Sequence, residues 1–454
     1  MICHAATGAP NGRARLRTVW ADAFPVPGRG SVLLLAACLL APPASAQIAD
    51  APPDEIDFEG FTSLSLGSGA RAFGMGGAFL ARADDATAAS WNPAGLSYLR
   101  RPEFSIVGAR TSFARGAFGE EADDRLSGYT PDFLAVTYPL QSGSIQLSYQ
   151  RVFSFRGTRE IDRPDRTFRT EGRGGFDVIA IGSGWRVGRT LRLGGTVNGW
   201  FNGYSQRRLR QTSAAETELD IDYDLNSGIN FNVGALWTPV ESLNVGVVGK
   251  TPFTAILNLR RFRRDTFFQN TGITVTENRA ERSDVLLDLP GAVGVGLSWR
   301  PTSPLTFSAD YTRTFWSEGR IRNFFLLNAT PPGGEPPPPI EFDELPYPTI
   351  EDPDQTDTEQ IRLGLEVVAI AGRVRVPIRA GLFWDRQYFR ADSATGAPPR
   401  FEGYTVGTGV SVGPVLLDVA YVRERGRFLT AEDQILVSTQ FSRVFASIIY
   451  RYGQ

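Results

Sequence analysis

Gly67-Ser-Gly-Ala-Arg-Ala-Phe-Gly-Met-Gly-Gly-Ala-Phe79 and, shortly after it, Ala83-Asp-Asp-Ala-Thr-Ala-Ala-Ser-Trp-Asn-Pro-Ala-Gly-Leu-Ser97 make up a stretch of small residues. It carries two adjacent carboxylates, Asp84 and Asp85, and one Asn-Pro-Ala-Gly turn. A free-standing domain of this composition has almost no core. A few large side chains among many small ones (Phe73, Met75, Phe79, Trp91, Leu96) suit a compact plug wedged inside something larger. Asp84 is placed to cap a short helix over Asp85 to Ser90, its carboxylate accepting from the first free amides. Asn92 is placed to cap a second turn, with Pro93 at the first helical position, where its missing N–H costs nothing. The plain alternative is a linker with two helical turns.

Arg71-Ala-Phe-Gly-Met-Gly-Gly-Ala, Ala83-Asp-Asp-Ala-Thr-Ala and Trp91-Asn-Pro-Ala-Gly together resemble the N-terminal hatch of the FadL/TodX outer-membrane transport family. The resemblance implies a 14-stranded β-barrel that brings long-chain fatty acids or aromatic hydrocarbons across the outer membrane. It assigns Asp84, Asp85, Asn92, Pro93 and Ala94 to a motif of the hatch that plugs the lumen. Secretion-associated PorV-like barrels share this opening pattern, so a protein-secretion or assembly shuttle stands beside the uptake channel.

Ahead of this stretch lie Arg13, Arg15, Arg17 and Arg29, the apolar run Val32 to Leu40, and Ala44-Ser-Ala46 before Gln47. A basic flank, a short apolar core and a small-x-small site describe a secretory signal peptide; the run is too short to span a bilayer. Leu35-Ala-Ala-Cys38 also fits a lipoprotein cleavage box. The expected organisation is a signal peptide over 1–46, a hatch over 47–102 and a transmembrane β-barrel over 103–454. Both cysteines, Cys3 and Cys38, and the one histidine, His4, fall within the leader. From Gln47 onward there is no thiol and no imidazole, which excludes disulfides, Cys/His zinc sites and histidine-based hydrolases. The expectation is a non-enzyme without cofactor or metal. A formal net charge of −2 gives no reason to expect nucleic acid as a partner.

The rest of the chain alternates in polarity with period two, which sends successive side chains to opposite faces of a strand. Ile145, Leu147 and Tyr149 alternate with Gln146, Ser148 and Gln150; Val293, Val295, Leu297 and Trp299 alternate with Gly294, Gly296 and Ser298. In a membrane barrel the apolar set faces lipid and the small or polar set faces the lumen. A soluble sandwich alternates too, but rarely with glycine and serine on one face and aromatic residues ending the other. Strands are expected at 103–113, 131–140, 143–158, 174–187, 190–207, 221–239, 242–262, 279–300, 303–322, 359–370, 373–390, 401–413, 414–426 and 433–452. The fold class is therefore all-β, a 14-stranded antiparallel barrel. Short turns (Pro139 to Ser144, Gly188-Arg189, Pro239 to Ser242, Pro301 to Pro304, Ala371-Gly372, Gly413-Pro414) alternate with longer polar loops near 114–130, 159–173, 208–220, 263–278, 323–358, 391–400 and 427–432. That alternation is expected of a barrel in the outer membrane with both termini periplasmic and the long loops outside. Val444, Ala446, Ile448, Tyr450 and Tyr452 share one face of the last strand. This resembles the signal read by the outer-membrane assembly machinery, an expected partner, although Gly453-Gln454 follow it.

Candidate binding groups are sparse. Lumen-side charges include Arg192, Lys250 (the one lysine), Asp310 and Asp418. A fatty-acid carboxylate would pair with Arg192 or Lys250; the competing expectation is that these ions pair with one another or with the hatch. Arg156, Arg159, Arg163, Arg166, Arg169 and Arg173 flank an outer loop and suit either lipopolysaccharide phosphates or plain solvation. Asp352, Asp354 and Asp357 match no EF-hand spacing. The expected partners are therefore outer-membrane lipids and lipopolysaccharide, and a hydrophobic small-molecule ligand.

Overall fold

In a computed structural model the described residues are 67–117, 124–154, 157–163, 166–269, 272–322, 345–346, 357–372, 374–387, 399–429 and 436–453. The proposed leader and most of 323–358 lie outside them. The described strands are β1 (Glu103–Ala117), β2 (Asp124–Pro139), β3 (Gly143–Ser154), β4 (Gly157–Arg163), β5 (Arg166–Val187), β6 (Leu191–Thr212), β7 (Ala215–Ser227), β8 (Ile229–Val240), β9 (Leu243–Lys250) and β10 (Phe253–Gln269). They continue with β11 (Gly272–Leu289), β12 (Ala292–Thr302), β13 (Leu305–Thr314), β14 (Arg320–Arg322), β15 (Leu345–Pro346), β16 (Thr358–Ala371), β17 (Val374–Arg386), β18 (Arg400–Val412), β19 (Val415–Leu429) and β20 (Leu436–Arg451).

Fourteen of these form a closed antiparallel barrel in the order β1, β2, β3, β5, β6, β8, β9, β12, β13, β16, β17, β18, β19, β20. The last strand pairs with the first from Glu103↔Arg451 through Ala117↔Val437, so the barrel has no free edge on that seam. Alternation places the faces as expected: Ile145, Leu147, Val293, Val295, Leu297 and Val419 lie outward, while Gln146, Ser148, Ser298 and Asp418 are buried inside. Short connections cluster at the end holding the C-terminal residues, hereafter the near end.

At the far end the sequence expectations need correction. Single strands expected over 221–239, 242–262, 279–300 and 303–322 are each broken, at Gly228, Thr251-Pro252, Pro290-Gly291 and Phe315–Gly319. Proline cannot donate to a ladder, which explains two of the breaks. The same line crosses β5 and β6, where register lapses between Gly174↔Tyr204 and Asp177↔Phe201 and where Gly174 and Asn202 take positive φ of 89° and 74°. Beyond the line, the described residues of the segments expected as loops at 208–220 and 263–278 are strand apart from Ser213-Ala214, and 159–173 is mostly the β4–β5 hairpin. Their residues still alternate and pair across strands (Arg207 with Glu218, Arg264 with Glu277), so polarity alone misplaced them. These segments make a second sheet, β4-β5-β6-β7-β10-β11-β14-β15, over an aromatic and aliphatic cluster that includes Phe176, Tyr204, Tyr223, Leu257, Leu287 and Trp316.

Candidate functional site

The lumen is filled at mid-height by residues 67–99. Helix α1 (Ala70–Gly74), helix α2 (Ala88–Trp91) and the 3₁₀ helix η1 (Pro93–Tyr98) are joined by tight turns. The turn after α1 needs glycine: Gly76 and Gly77 have φ of 69° and 74°, and a Cβ on Gly76 would meet the Leu363 carbonyl oxygen at 2.7 Å. Trp91 is 1% exposed and donates from Nε1 to the Ser68 carbonyl at 2.7 Å. Phe73 stacks on Phe445 of β20 with ring centroids 4.0 Å apart, fastening α1 to the wall.

Asn92 does what its place before proline suggests. Its Oδ1 accepts from the Ala94 N–H at 3.1 Å, and Pro93 occupies the first position of η1. Its Nδ2 meanwhile points at three carbonyls: Leu80 in the plug at 3.0 Å, and Ala235 of β8 and Val247 of β9 at 3.2 and 3.4 Å. Those wall carbonyls are within reach because Gly234 and Gly246 beside them carry no side chain; a Cβ on Gly234 would collide with Asn92 Oδ1. Ala94 is fully buried.

The two aspartates part company, and Asp84 does not cap the helix. Asp85 Oδ1 accepts the Thr87 N–H at 2.9 Å and its hydroxyl at 2.6 Å, which turns the chain into α2. Asp84 instead bonds Arg71 at 2.6 Å and also pairs with Arg82, while Asp85 Oδ2 shares Arg71 at 3.2 Å. Burial pushes the Asp84 carboxyl up, but the Arg71 and Arg82 charges outweigh that and hold it below the usual carboxylate range. Both arginines reach Glu366 on β16, at 3.6 and 3.3 Å. Glu366 in turn bonds Arg379 of β17 at 2.8 Å, and Arg379 bonds Asp418 of β19 at 2.6 Å. Nearby, Asp310 of β13 accepts the Phe79 and Leu80 N–H groups at 2.6 and 2.8 Å. Thr405 of β18 accepts from Gly76 N–H at 2.9 Å and donates to the Gly74 carbonyl at 3.0 Å.

Two spaces flank the plug. The far cavity leaves about 830 Å³ unfilled by protein atoms, its open mouth included, and is bounded by Ala89 and Ser90 of the plug and by Phe133, Val178, Trp200 and Phe253. Asn198, Asn230, Asn232 and Lys250 add a polar side to it. The near vestibule is bounded by Arg82, Asp84, Tyr98, Arg192, Thr238, Asn244 and Arg300. The two residues expected to meet a carboxylate are therefore on opposite sides of the plug. Lys250 borders the far cavity; Arg192 stacks over the Tyr98 ring at 4.0 Å in the vestibule. Asp310 and Asp418 hold the plug and Arg379, as just described. Trp200, Phe253 and the asparagine row were not singled out by sequence, because nothing in a period-two pattern says which inward residues share a height.

Of the arginines expected near the outer loop, Arg169 and Arg173 both reach Glu171, at 2.7 and 3.5 Å. Asp357 bonds Arg313 at 2.9 Å and Ser317, while Asp352 and Asp354 lie outside the described residues.

The architecture has solved counterparts. A FadL homologue from Pseudomonas aeruginosa superposes with a TM-score of 0.61 at 13% identity, covering 87% of this chain and 100% of that one. The toluene transporter TbuX of Ralstonia pickettii gives 0.59 at 15% identity, covering 86% and 99%. The toluene transporter TodX of Pseudomonas putida gives 0.54 at 12% identity, covering 85% and 98%. At such identities the likeness is one of fold: a plugged 14-stranded barrel of the FadL/TodX kind. No curated protein sequence matches this chain. The model of the BamG family matches residues 37–330, more than half of the sequence, and the chain belongs to that family.

Proposed function

We propose that this protein is an outer-membrane channel for passive uptake of hydrophobic small molecules, gated by movement of the plug, with its near end and both termini in the periplasm. The observation that carries the reading is the far cavity: Phe133, Val152, Val178, Trp200, Phe253 and Leu289 make its apolar walls, Lys250 stands with Asn198, Asn230 and Asn232 on its polar side, and the plug is its floor. A concave site that joins apolar walls to placed polar groups is the ordinary form of a small-molecule site. The solved relatives named as transporters supply the same fold. Long-chain fatty acids and aromatic hydrocarbons are the two solute classes proposed, the first meeting Lys250 through its carboxylate.

The test is uptake of a labelled long-chain fatty acid and, separately, toluene, in cells matched for barrel abundance. A charge-assisted contact is worth roughly 1.5–3 kcal/mol. Lys250→Gln should therefore raise the half-saturating fatty-acid concentration about tenfold or more and leave toluene uptake unchanged. Equal loss of both solutes, or no change in either, would remove Lys250 from the site. Wild-type uptake of both at the empty-vector level would end the channel reading.

A second reading, a protein-secretion or assembly shuttle, is favoured by the far-end sheet. The β10–β11 hairpin carries Phe267, Phe268, Ile273 and Val275 exposed towards its tip, and a small-molecule channel has no use for such a surface. Co-purification of secreted proteins with wild type, lost on Phe267→Ser/Phe268→Ser, supports it. The exposed side chains of Arg169 and Arg173 suit lipopolysaccharide phosphates, and β20, which closes the barrel, suits recognition by the assembly machinery.

A further inference from the structure

Strand β7 reads Glu216-Thr-Glu-Leu-Asp-Ile-Asp-Tyr-Asp-Leu225, an acid at every second position and, from Leu219 on, an apolar residue between. Period two sends the two sets to opposite faces. Leu219, Ile221, Tyr223 and Leu225 are buried in the cluster with Phe176 and Leu257, so the acids point outward. This reverses the polarity of the barrel wall, where the apolar residues face out. The strands on either side read Arg207-Arg-Leu-Arg210 and Arg260-Arg-Phe-Arg-Arg-Asp265, with arginines in both parities. Residues directly opposite across an antiparallel pair share a face. The pairs Arg207↔Asp220, Arg208↔Leu219, Asp222↔Arg260 and Ile221↔Arg261 therefore sort the arginines. Arg207, Arg260 and Arg264 go out with the acids; Arg208, Arg210, Arg261 and Arg263 go in with the apolar residues.

The two faces differ in what their guanidinium groups meet. Outside, Arg207 pairs with Glu218, Arg260 with Asp224, and Arg264 with Glu218 and Glu277. Inside, the one carboxylate among the described side chains of β5, β6, β7 and β10 beyond the line is Asp265, which bonds Arg263 at 2.7 Å and Thr217 at 2.8 Å. Arg210 lies over the Phe168 ring at 5.7 Å, and its Nε is buried without a hydrogen-bond partner among the described residues. Arg208 and Arg261 both act on the Tyr223 hydroxyl, whose ring stacks on Tyr204 at 4.8 Å. The inner face thus sets four cations at the top of an apolar belt. That belt runs into the far cavity, because Val152, Trp200 and Phe253 pack against it and also border the cavity. Adjacent strands lie about 4.8 Å apart, so the inward arginines of β6 and β10 form two columns roughly 10 Å apart, with Leu219 and Ile221 between them. Guanidinium forks reaching from both columns can meet on one carboxylate or sulfate.

We propose that this inner face recruits single-chain anionic amphiphiles: Arg208, Arg210, Arg261 and Arg263 take the carboxylate or sulfate head, and the apolar belt leads the tail to the far cavity. The inference rests on the uptake reading and sharpens it, since it separates the two solute classes by charge. A neutral aromatic hydrocarbon gains nothing from the arginines. Lipopolysaccharide surrounds the barrel and meets the outward arginines, so its phosphates are not the head proposed here. The face also stands apart from Lys250: Arg261 is eight residues beyond Phe253 at the cavity, roughly 27 Å of strand. Its effect is on arrival rather than on final pairing, because a charged patch raises the local concentration of opposite charge and is screened by salt.

The test is stopped-flow binding of a fluorescent polyene fatty acid, and of its uncharged methyl ester, to the purified protein in non-ionic detergent at mildly alkaline pH. In wild type, raising the ionic strength from about 0.02 M to about 0.5 M should slow association of the acid at least fivefold and leave the ester within twofold. Arg208→Gln/Arg261→Gln should reproduce that loss at low salt and leave dissociation of the acid nearly unchanged. Arg207→Gln/Arg264→Gln removes equal charge from the outward face and should change the acid's association less than twofold. Heat-modifiable gel mobility checks that each variant is folded, and the wild-type salt series needs no variant. Equal salt dependence of acid and ester, or equal slowing by the inward and outward pairs, overturns the proposal. Uptake absent from cells while this binding pattern stands would instead remove the channel reading and leave the recruiting face.

Discussion

From β13 round to β19 the plug faces Asp310, Glu366, Arg379, Thr405 and Asp418; from β6 to β12 it faces Gly194, Gly234, Gly246, Gly294 and Gly296. Glycines meet the plug on the first side too (Gly364, Gly381 and Gly407 against Gly74–Gly76), so what sets that side apart is the buried charges and directed side-chain hydrogen bonds added there. Buried ion pairs give less net stability than their distances suggest, because each ion has lost its water, but breaking one strands its partner. Glycine contact has the opposite character: no bond is lost when the plug leaves, and any added atom forbids its return. A segment held in this way has one side suited to staying and one suited to moving.

The largest effect should come from the fastened side. Arg379→Met removes the cation between Glu366 and Asp418, which are 3% and 5% exposed at their side chains. Leaving two carboxylates without their bridge should cost about 3–5 kcal/mol, lowering the temperature at which the barrel loses its heat-modifiable gel mobility. An unchanged transition would mean that this network does not hold the plug.

A smaller, more local effect belongs to the glycine side, and two neighbouring residues isolate it. A Cβ on Gly194 would run into the Pro93–Ala94 peptide, whereas one on Gly195, on the outer face, would find only the Asn232 carbonyl at 3.5 Å. Gly194→Ala should destabilise by about 1–3 kcal/mol through overpacking, and Gly195→Ala by well under 1. Equal values would mean that the plug yields without resistance along β6.

The pattern of inward and outward faces was legible in the sequence because period two is a property of any strand, and Gln146 against Leu147 or Ser298 against Trp299 announces it. The Asn92–Pro93 turn was legible for a similar reason: an amide acceptor ahead of a residue lacking N–H has few other uses. Heights were not legible. Lys250 and Arg192 both sit on inward rows, and only the assembled barrel puts Lys250 at the far cavity and Arg192 in the vestibule on the other side of the plug. Nor does any local rule make Asp85 rather than Asp84 the residue that turns the chain at Thr87, since Asp84 is drawn away by Arg82, which is itself paired with Glu366 on a distant strand. The polar stretches at 208–220 and 263–278 looked like loops because strands that leave the membrane no longer need apolar residues outside. Residues 1–66, with the proposed signal peptide, lie outside the described residues.

The mildest test of the contrast is acid. Asp84 titrates below its unfolded value, so the stability it lends is present above that value, about 3.9, and is lost as pH falls through the lower folded one. The plug should therefore loosen at the Arg71 side only in strongly acidic solution, with no change between neutral and mildly acidic pH. Protease sensitivity at Arg71 or Arg82 that rises already near pH 6 would contradict this.

The most direct measurement is hydrogen exchange of plug amides in the purified, detergent-solubilised protein. Gly76, Phe79 and Leu80 donate to side chains of the wall, Thr405 and Asp310, while Ala94, Gly95 and Leu99 donate to acceptors within the plug itself. If the β13–β19 side stays and the β6–β12 side moves, the first group should remain protected after the second has exchanged, by at least tenfold in rate. Equal protection of the two groups, or earlier exchange at Gly76, Phe79 and Leu80, would contradict the account.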